Sequence, residues 1–280
     1  MNPSKKHVKV SDTAFVTCSF RSKNDNLSQD RYAKLWTNER AETILEDYLE
    51  NVSTEEVSTH CIRNRYFLET LAKLVEQEKI DLLINFGAGF SMYPFLLPDT
   101  IEHIEIDKPE VVDYKSEQVK QWMENGTLPK RHITSIPVDF STDYQAELIS
   151  TIESLKQNRR CFILIEGVLF FLNREQTDGL FHLFSEVQAH GDYVGSVSYK
   201  EDVKATDAYK RLIAYANKGV DDASDDGFQT IPNSYYLNLK DYDLLEQEDY
   251  YSCSKLYHHN TQSKPTDILN EQFYVLKRKP

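Results

Sequence analysis

The sequence predicts an α/β fold: a doubly wound, mostly parallel sheet with helices on both faces. Three observations predict it. Short apolar stretches recur at Leu82–Phe86, Ile101–Ile106, Ile133–Val138, Cys161–Ile165 and Tyr193–Tyr199. Stretches with helical spacing separate them, so each return to the sheet is a crossover. The first apolar stretch stops at Gly87-Ala88-Gly89, a tight turn at the end of a buried parallel strand.

Taken in order, residues up to about Asn38 are polar and mixed, with Ser11–Thr17 the only compact apolar patch. Ala41, Ile44, Leu45 and Leu49 then predict an amphipathic helix from Asn38 to Leu49. Tyr66, Phe67, Leu71, Leu74 and Val75 share one face of a longer helix, from about Thr54 to Gln77. After the second strand, Pro109 and the stripe Val111, Val112, Val119 and Trp122 predict a helix, closed by Gly126 and Pro129. Another spans Tyr144–Lys156. Cys161-Phe162-Ile163-Leu164-Ile165 is the most apolar strand, expected at the centre of the sheet. Asn173 with Gln176 gives a capping-box pattern that opens a helix through Leu180, Phe184 and Val187.

Beyond Tyr199 the alternation breaks. Lys200–Pro232 is charged and rich in Gly and Asp around a helix at Ala205–Ala216, as in an insertion or lid. Tyr250–Tyr257 and Glu271–Lys277 read as two closing strands, an antiparallel hairpin at one sheet edge. The expectation is one domain: a helical cap over 1–79, a core over 80–199, a lid insertion over 200–235 and closing strands over 236–280.

Composition narrows the function classes. A formal charge of −13 and a pI near 5.1 argue against nucleic acid or an anionic membrane as partner. Cys18, Cys61, Cys161 and Cys253 lie far apart with no histidine at ligand spacing, which argues against structural zinc. Lacking an apolar segment behind its basic start, and any run of membrane-span length, the chain is expected to be cytoplasmic. Twelve per cent aromatic residues, 17 of them Tyr, suit an aromatic-lined cavity or simply a large core.

Ligands of such sheets bind at the carboxyl ends of the strands. Those ends carry, in order, Gly87 and Gly89, then Asp107, Asp139-Phe140 and Glu166. Three strands in a row finish on an acid. Asp107, twenty residues after Gly87, is placed to accept hydrogen bonds from two ribose hydroxyls. Asp139 and Phe140 suit adenine, and Glu166 can complement an ammonium or sulfonium. Arg63 is the available cation for an amino-acid carboxylate, although periodicity alone places it on a solvated helix face. A dinucleotide is disfavoured: the third glycine of the G-x-G-x-x-G fingerprint is Met92, and Pro94 and Pro98 leave little room for a long helix aimed at a pyrophosphate. A nucleoside with a small charged tail, such as S-adenosylmethionine, fits better.

The segments Ile62-Arg63-Asn64-Arg65, Leu83-Ile84-Asn85-Phe86-Gly87-Ala88-Gly89-Phe90, Ile104–Pro109, Val138-Asp139-Phe140 and Glu166–Leu172 resemble the leucine carboxyl methyltransferase family. Asp12-Thr13-Ala14 and Asp30-Arg31-Tyr32-Ala33 are similar to its N-terminal cap. The resemblance implies a Rossmann-like class I methyltransferase with a seven-stranded sheet and S-adenosylmethionine as cofactor. It implies that Arg63 holds the methionine carboxylate, Gly87 lines the cofactor floor, Asp107 takes the ribose, Asp139 and Phe140 the adenine, and Glu166 the methionine end. Two departures touch the acceptor side. Ser91-Met92-Tyr93 stands where the family has Asp-Thr-Arg, and Phe171 stands where it has tyrosine.

The expected reaction is methylation of a carboxylate or other acidic oxygen on a small molecule, in a pocket formed by the N-terminal segment and the lid. A carboxylate is already ionised at neutral pH and needs no base; a phenol benefits from one. His60, His182, His190 and His258 are candidates for that base, although none has a motif around it and surface positions fit each. Protein C-terminal methylation and a catalytically silent cofactor-binding protein are the alternatives; an NAD-dependent oxidoreductase ranks below both.

Overall fold

A computed structural model describes residues 12–217 and 227–280. Four helices lead the chain: α1 (Asp12–Ser22), α2 (Asp25–Ser28), α3 (Glu39–Asn51) and α4 (Glu56–Glu78). The alternating region is β1 (Leu82–Phe86), α5 (Tyr93–Leu96), β2 (Glu102–Asp107), α6 (Pro109–Glu124), β3 (Ile133–Pro137), α7 (Gln145–Lys156), β4 (Cys161–Ile165), α8 (Arg174–Val187) and β5 (Tyr193–Tyr199). The chain closes with α9 (Asp207–Ala216), α10 (Asn233–Leu237), β6 (Tyr242–Asp249), α11 (Tyr250–Leu256) and β7 (Glu271–Arg278).

The seven strands form one sheet in the order β3-β2-β1-β4-β5-β7-β6. The pairings among β1 to β5 are parallel, and β7 runs antiparallel between β5 and β6. Chain order reverses between β1 and β4, which is where a ligand crevice opens in such sheets. Both faces of the centre are covered, so its strands are continuously apolar rather than alternating. On one face Leu83, Phe162, Leu164 and Phe273 pack with Ile62, Phe67 and Leu71 of α4. On the other, Leu82, Ile84, Ile163 and Ile165 pack with Leu180, Phe181 and Phe184 of α8. Asn173 caps α8 in the full capping box, with Gln176 answering its backbone N–H.

The structure departs from expectation at three places in the chain. Of the Ser11–Thr17 patch, Asp12–Thr17 belong to α1, whose Cys18 thiol donates to the Phe90 carbonyl at 3.3 Å, while Ser11 lies outside the described residues. The buried side of α1 packs on α3 and α4, through Val16, Phe20 and Leu45, as well as on Phe90, contacts that local sequence does not reveal. Tyr250–Tyr257, read as a strand, is mostly helix α11, while the strand lies just upstream at Tyr242–Asp249. That strand is at the edge of the sheet, with Asp243 exposed and Glu246, Glu248 and Asp249 half-buried, so it reads as polar loop; Asp249 caps α11 through Ser252. Part of the expected lid, 218–226, lies outside the described residues. Its far end is fastened to the core: the Gln229 N–H donates to the Phe170 carbonyl at 2.9 Å and its side-chain amide to the Leu169 carbonyl at 2.8 Å.

Candidate active site

The turn after β1 is held between two other strand ends. The amides of Gly87 and Ala88 donate to the Ile106 carbonyl at 2.8 and 3.1 Å, tying the turn to the end of β2. Gly87 has φ +72°, and a Cβ there would lie 2.3 Å from Val168 Cγ2, so the turn is also pressed against the loop leaving β4. Gly89, at φ +45°, is the opposite case: a Cβ there would meet nothing within 4 Å. The turn thus has one packed side and one open side.

Asp107 faces that turn. Its Oδ2 accepts the Gly89 N–H and its Oδ1 the Lys108 N–H, each at 2.7 Å. Each oxygen keeps a lone pair, enough for two further donors such as adjacent hydroxyls. Asp139, just past β3, is exposed, and its Oδ1 accepts the Ser141 hydroxyl at 2.6 Å and the Ser141 N–H at 3.0 Å. These bonds to the ionised form hold its carboxyl below the usual range. Phe140 is half-buried, its ring 5.5 Å from Phe86 and 5.2 Å from Tyr144.

Glu166 follows β4 directly. Its Oε2 accepts the Tyr93 hydroxyl at 2.9 Å, and its Oε1 lies 3.4 Å from Arg63 Nε. Burial pushes its pKa up, against the opposing pull of Arg63 and Tyr93. Arg63, which periodicity places on a solvated face, is only 6% exposed. Its Nη1 donates to Glu271 Oε1 at 2.5 Å, so one guanidinium bridges the acids after β4 and at the head of β7. The helix is buried over much of its length, and Arg63 is where it meets Glu166 and Glu271.

The structure therefore joins Gly87, Gly89 and Asp107 in one group and Arg63 with Glu166 in another, and the Gly87–Val168 contact sets the two side by side. Asp139 and Phe140 stand further along, at the end of β3. Sequence reasoning missed Tyr93 and Glu271. The only signal for Glu271 was an acid opening the otherwise apolar strand Phe273-Tyr274-Val275-Leu276, and nothing local says what it faces. Among the candidate bases, His182, His190 and His258 are exposed. His60 is a correction: it is buried, its Nδ1 lies 2.9 Å from the Glu56 carbonyl, and burial holds its pKa well below the usual value.

Among the described residues no group of three or more His, Cys, Asp or Glu could hold a metal ion, and no helix is long and apolar enough to cross a membrane. A cavity of about 430 Å³ between α8 and the start of β6, lined by Arg174, Asp178, Phe181 and Tyr242 among others, shares no residue with the strand-end crevice.

A seven-stranded sheet with an antiparallel strand between β5 and β6, a glycine turn after β1 and acids at the next strand ends define the class I methyltransferases, whose cofactor is S-adenosylmethionine. The leucine carboxyl methyltransferase family model matches residues 11–185, and the chain belongs to that family. Proteins of Mycobacterium bovis and Mycobacterium tuberculosis, provisionally named S-adenosyl-L-methionine-dependent methyltransferases, are 27% identical over 197 residues. That match covers 66% of this chain and 63% of theirs, so the chain spans less than two thirds of these relatives' length. Among solved structures, a provisionally named methyltransferase from Thermobifida fusca superposes with a TM-score of 0.62 at 14% identity, covering 99% of this chain and 98% of its own. A DUF574 family protein from Streptomyces avermitilis gives 0.62 at 10% identity, covering 96% and 97%. These two similarities concern the fold.

Proposed function

We propose that the chain is an S-adenosylmethionine-dependent O-methyltransferase acting on an acidic oxygen of a small molecule. The observation that supports this reading is the glycine turn set between Asp107 and the Glu166–Val168 loop, which brings a carboxylate suited to a ribose beside an Arg–Glu pair suited to an amino-acid end. The fit of the cofactor rests on the open side of Gly89, where a ligand can approach backbone, and on the two half-buried oxygens of Asp107. Asp107 would hold the ribose, Asp139 and Phe140 the adenine, and Arg63 with Glu166 the carboxylate and ammonium of the methionine. Gly87 and Gly89 would form the floor.

When bound, the cofactor supplies a methyl group on a positively charged sulfur. The residues then have to orient an oxygen nucleophile in line and keep water out, which is most of what methyl transfer requires. The N-terminal cap and the segment 200–235 would enclose the acceptor. Supporting this, Gln229 fastens the far end of that segment to the loop after Glu166, and Thr230 bridges to Tyr199 at the end of β5.

The reading covers carboxylate and hydroxyl acceptors alike. Glu56, Glu166 and Glu271 are buried or nearly so around Arg63, whose charge is already shared by two of them. Burial, and then the charge of Glu271, push the Glu56 carboxyl up to about 8.

The test is incubation with isotope-labelled S-adenosylmethionine and a panel of small hydroxy compounds and carboxylates, followed by mass spectrometry. The expected product is a methyl ester or methyl ether together with S-adenosylhomocysteine. Methylated nitrogen, or a methylated protein C-terminus, would refute the reading.

A further inference from the structure

Arg63 stands among more acid than it can neutralise. Its Nη1 is taken by Glu271 at 2.5 Å and its Nε faces Glu166 at 3.4 Å. Glu56, earlier on the same helix, is 3% exposed and has only neutral partners among the described residues. The Thr59 hydroxyl lies 3.3 Å from its Oε1 and the Tyr48 hydroxyl of α3 3.4 Å from its Oε2. His60 Nδ1 is 3.8 Å away, but burial and then the charge of Arg63 hold that imidazole well below its usual pKa, so it brings no charge. From β5 and β7 the ionisable neighbours are Tyr199 and Glu271, and the nearby Arg21 of α1 is already bound to Asp30 at 3.0 Å.

Three buried carboxyl groups thus share one guanidinium. Like charges in one buried site cannot all stay ionised without a counter-charge. Burial, and then the charge of Glu271, raise Glu56 to about 8, so near neutral pH the spare proton rests there. The cluster is one positive charge short. In S-adenosylmethionine the ammonium and carboxylate cancel and the sulfonium leaves one net positive charge, whereas the thioether of S-adenosylhomocysteine leaves none. A charge at the methionine end acts on Glu56 through the low-dielectric interior without touching it, as Glu271 already does.

We propose that Glu56 distinguishes the charged cofactor from its spent form: it keeps its proton in the unliganded protein and beside S-adenosylhomocysteine, and releases it to solvent when the sulfonium enters. The carboxylate so formed strengthens the hold on the cofactor. When the methyl group leaves, the C–S electron pair stays on sulfur, the positive charge is gone, and Glu56 takes a proton back from solvent, which loosens the product. This rests on the methyl-transfer reading, with the methionine end at Arg63 and Glu166, and adds how the site tells cofactor from product.

The test is calorimetry on the full chain in two buffers of different ionisation enthalpy at about pH 7, where the cofactor's own amino group is still charged. S-adenosylmethionine should release about half a proton or more, and S-adenosylhomocysteine almost none. Because the bound form favours ionised Glu56, the ratio of the two affinities should rise about fivefold in favour of S-adenosylmethionine between about pH 6 and pH 7.2. Glu56→Gln has the shape of the protonated acid. In it the proton release should disappear and the ratio should stay flat with pH, with S-adenosylhomocysteine affinity within about threefold of the natural value. S-adenosylmethionine binding without proton exchange, or with a flat ratio, in the natural chain overturns the proposal. Release and slope that survive in Glu56→Gln overturn the assignment to this residue. Failure to bind either nucleoside strikes instead at the methyl-transfer reading.

Discussion

The Gly89 amide donates to Asp107 Oδ2 at 2.7 Å, closing the turn after β1 onto the last residue of β2. The acid therefore shapes the turn in addition to its proposed part in holding the ribose. Replacing Asp107 with Ala removes both functions at once. Cofactor affinity should fall by about 2–4 kcal/mol, the range for a pair of charge-assisted hydrogen bonds. Calorimetry with S-adenosylhomocysteine reads it directly, and an unchanged dissociation constant would take Asp107 out of the site.

The two glycines of the turn should separate stability from binding. Gly87→Ala places a methyl 2.3 Å from Val168 Cγ2 at φ +72°, and should destabilise by about 2–4 kcal/mol. Adding Val168→Ala should restore part of that. Gly89→Ala meets nothing, so it should destabilise by only about 1 kcal/mol from backbone strain while weakening cofactor binding by blocking the open side. Urea unfolding beside calorimetry gives both quantities; a Gly89→Ala protein with natural affinity would show that no ligand approaches there.

Arg63 is the counter-ion of two buried acids. Arg63→Ala leaves Glu166 and Glu271 uncompensated and should cost about 3–5 kcal/mol of stability. Adding Glu271→Gln should recover a measurable share, because an unpaired buried charge is the main penalty. If urea midpoints show no recovery, the bridge between the two acids is not what stabilises this corner.

Glu55 and Glu56 adjoin in sequence and titrate in opposite directions. Burial acts against the Glu55 charge, but hydrogen bonds from Ser263, Tyr250, Thr261 and His259 outweigh it and bring its pKa from 4.5 down to about 2. Its stabilisation is present above about pH 4.5 and is lost as pH falls toward 2. Glu56 is raised by burial to about 8, so its contribution is greatest below about pH 4.5 and declines as pH rises to 8. Stability measured by urea unfolding should therefore differ between the natural chain and Glu55→Gln mainly at neutral pH, with the gap closing in acid. Against Glu56→Gln, the natural chain should lose ground steadily from pH 5 to 8. The same slope in both comparisons would contradict these assignments.

How much of the fold was legible depends on where each signal resides. Leu82–Phe86, Cys161–Ile165 and Tyr193–Tyr199 coincide with their strands because central strands buried on both faces are predominantly apolar and carry no charged residue. Edge strand β6 is half exposed and carries Glu246, Glu248 and Asp249, so its pattern is that of a loop, and the tyrosines beyond it drew the strand reading onto α11.

By itself the sequence determined the alternation of strands and helices, the glycine turn and the acids at successive strand ends, all written in spacings of a few residues. Only the tertiary structure decided that Arg63 is buried and what it holds, since its bond to Glu271 joins positions 208 residues apart. Local periodicity reports which face of an element is apolar. It carries no information about which polar group from another element will reach that face, because that is settled by packing across the whole sheet.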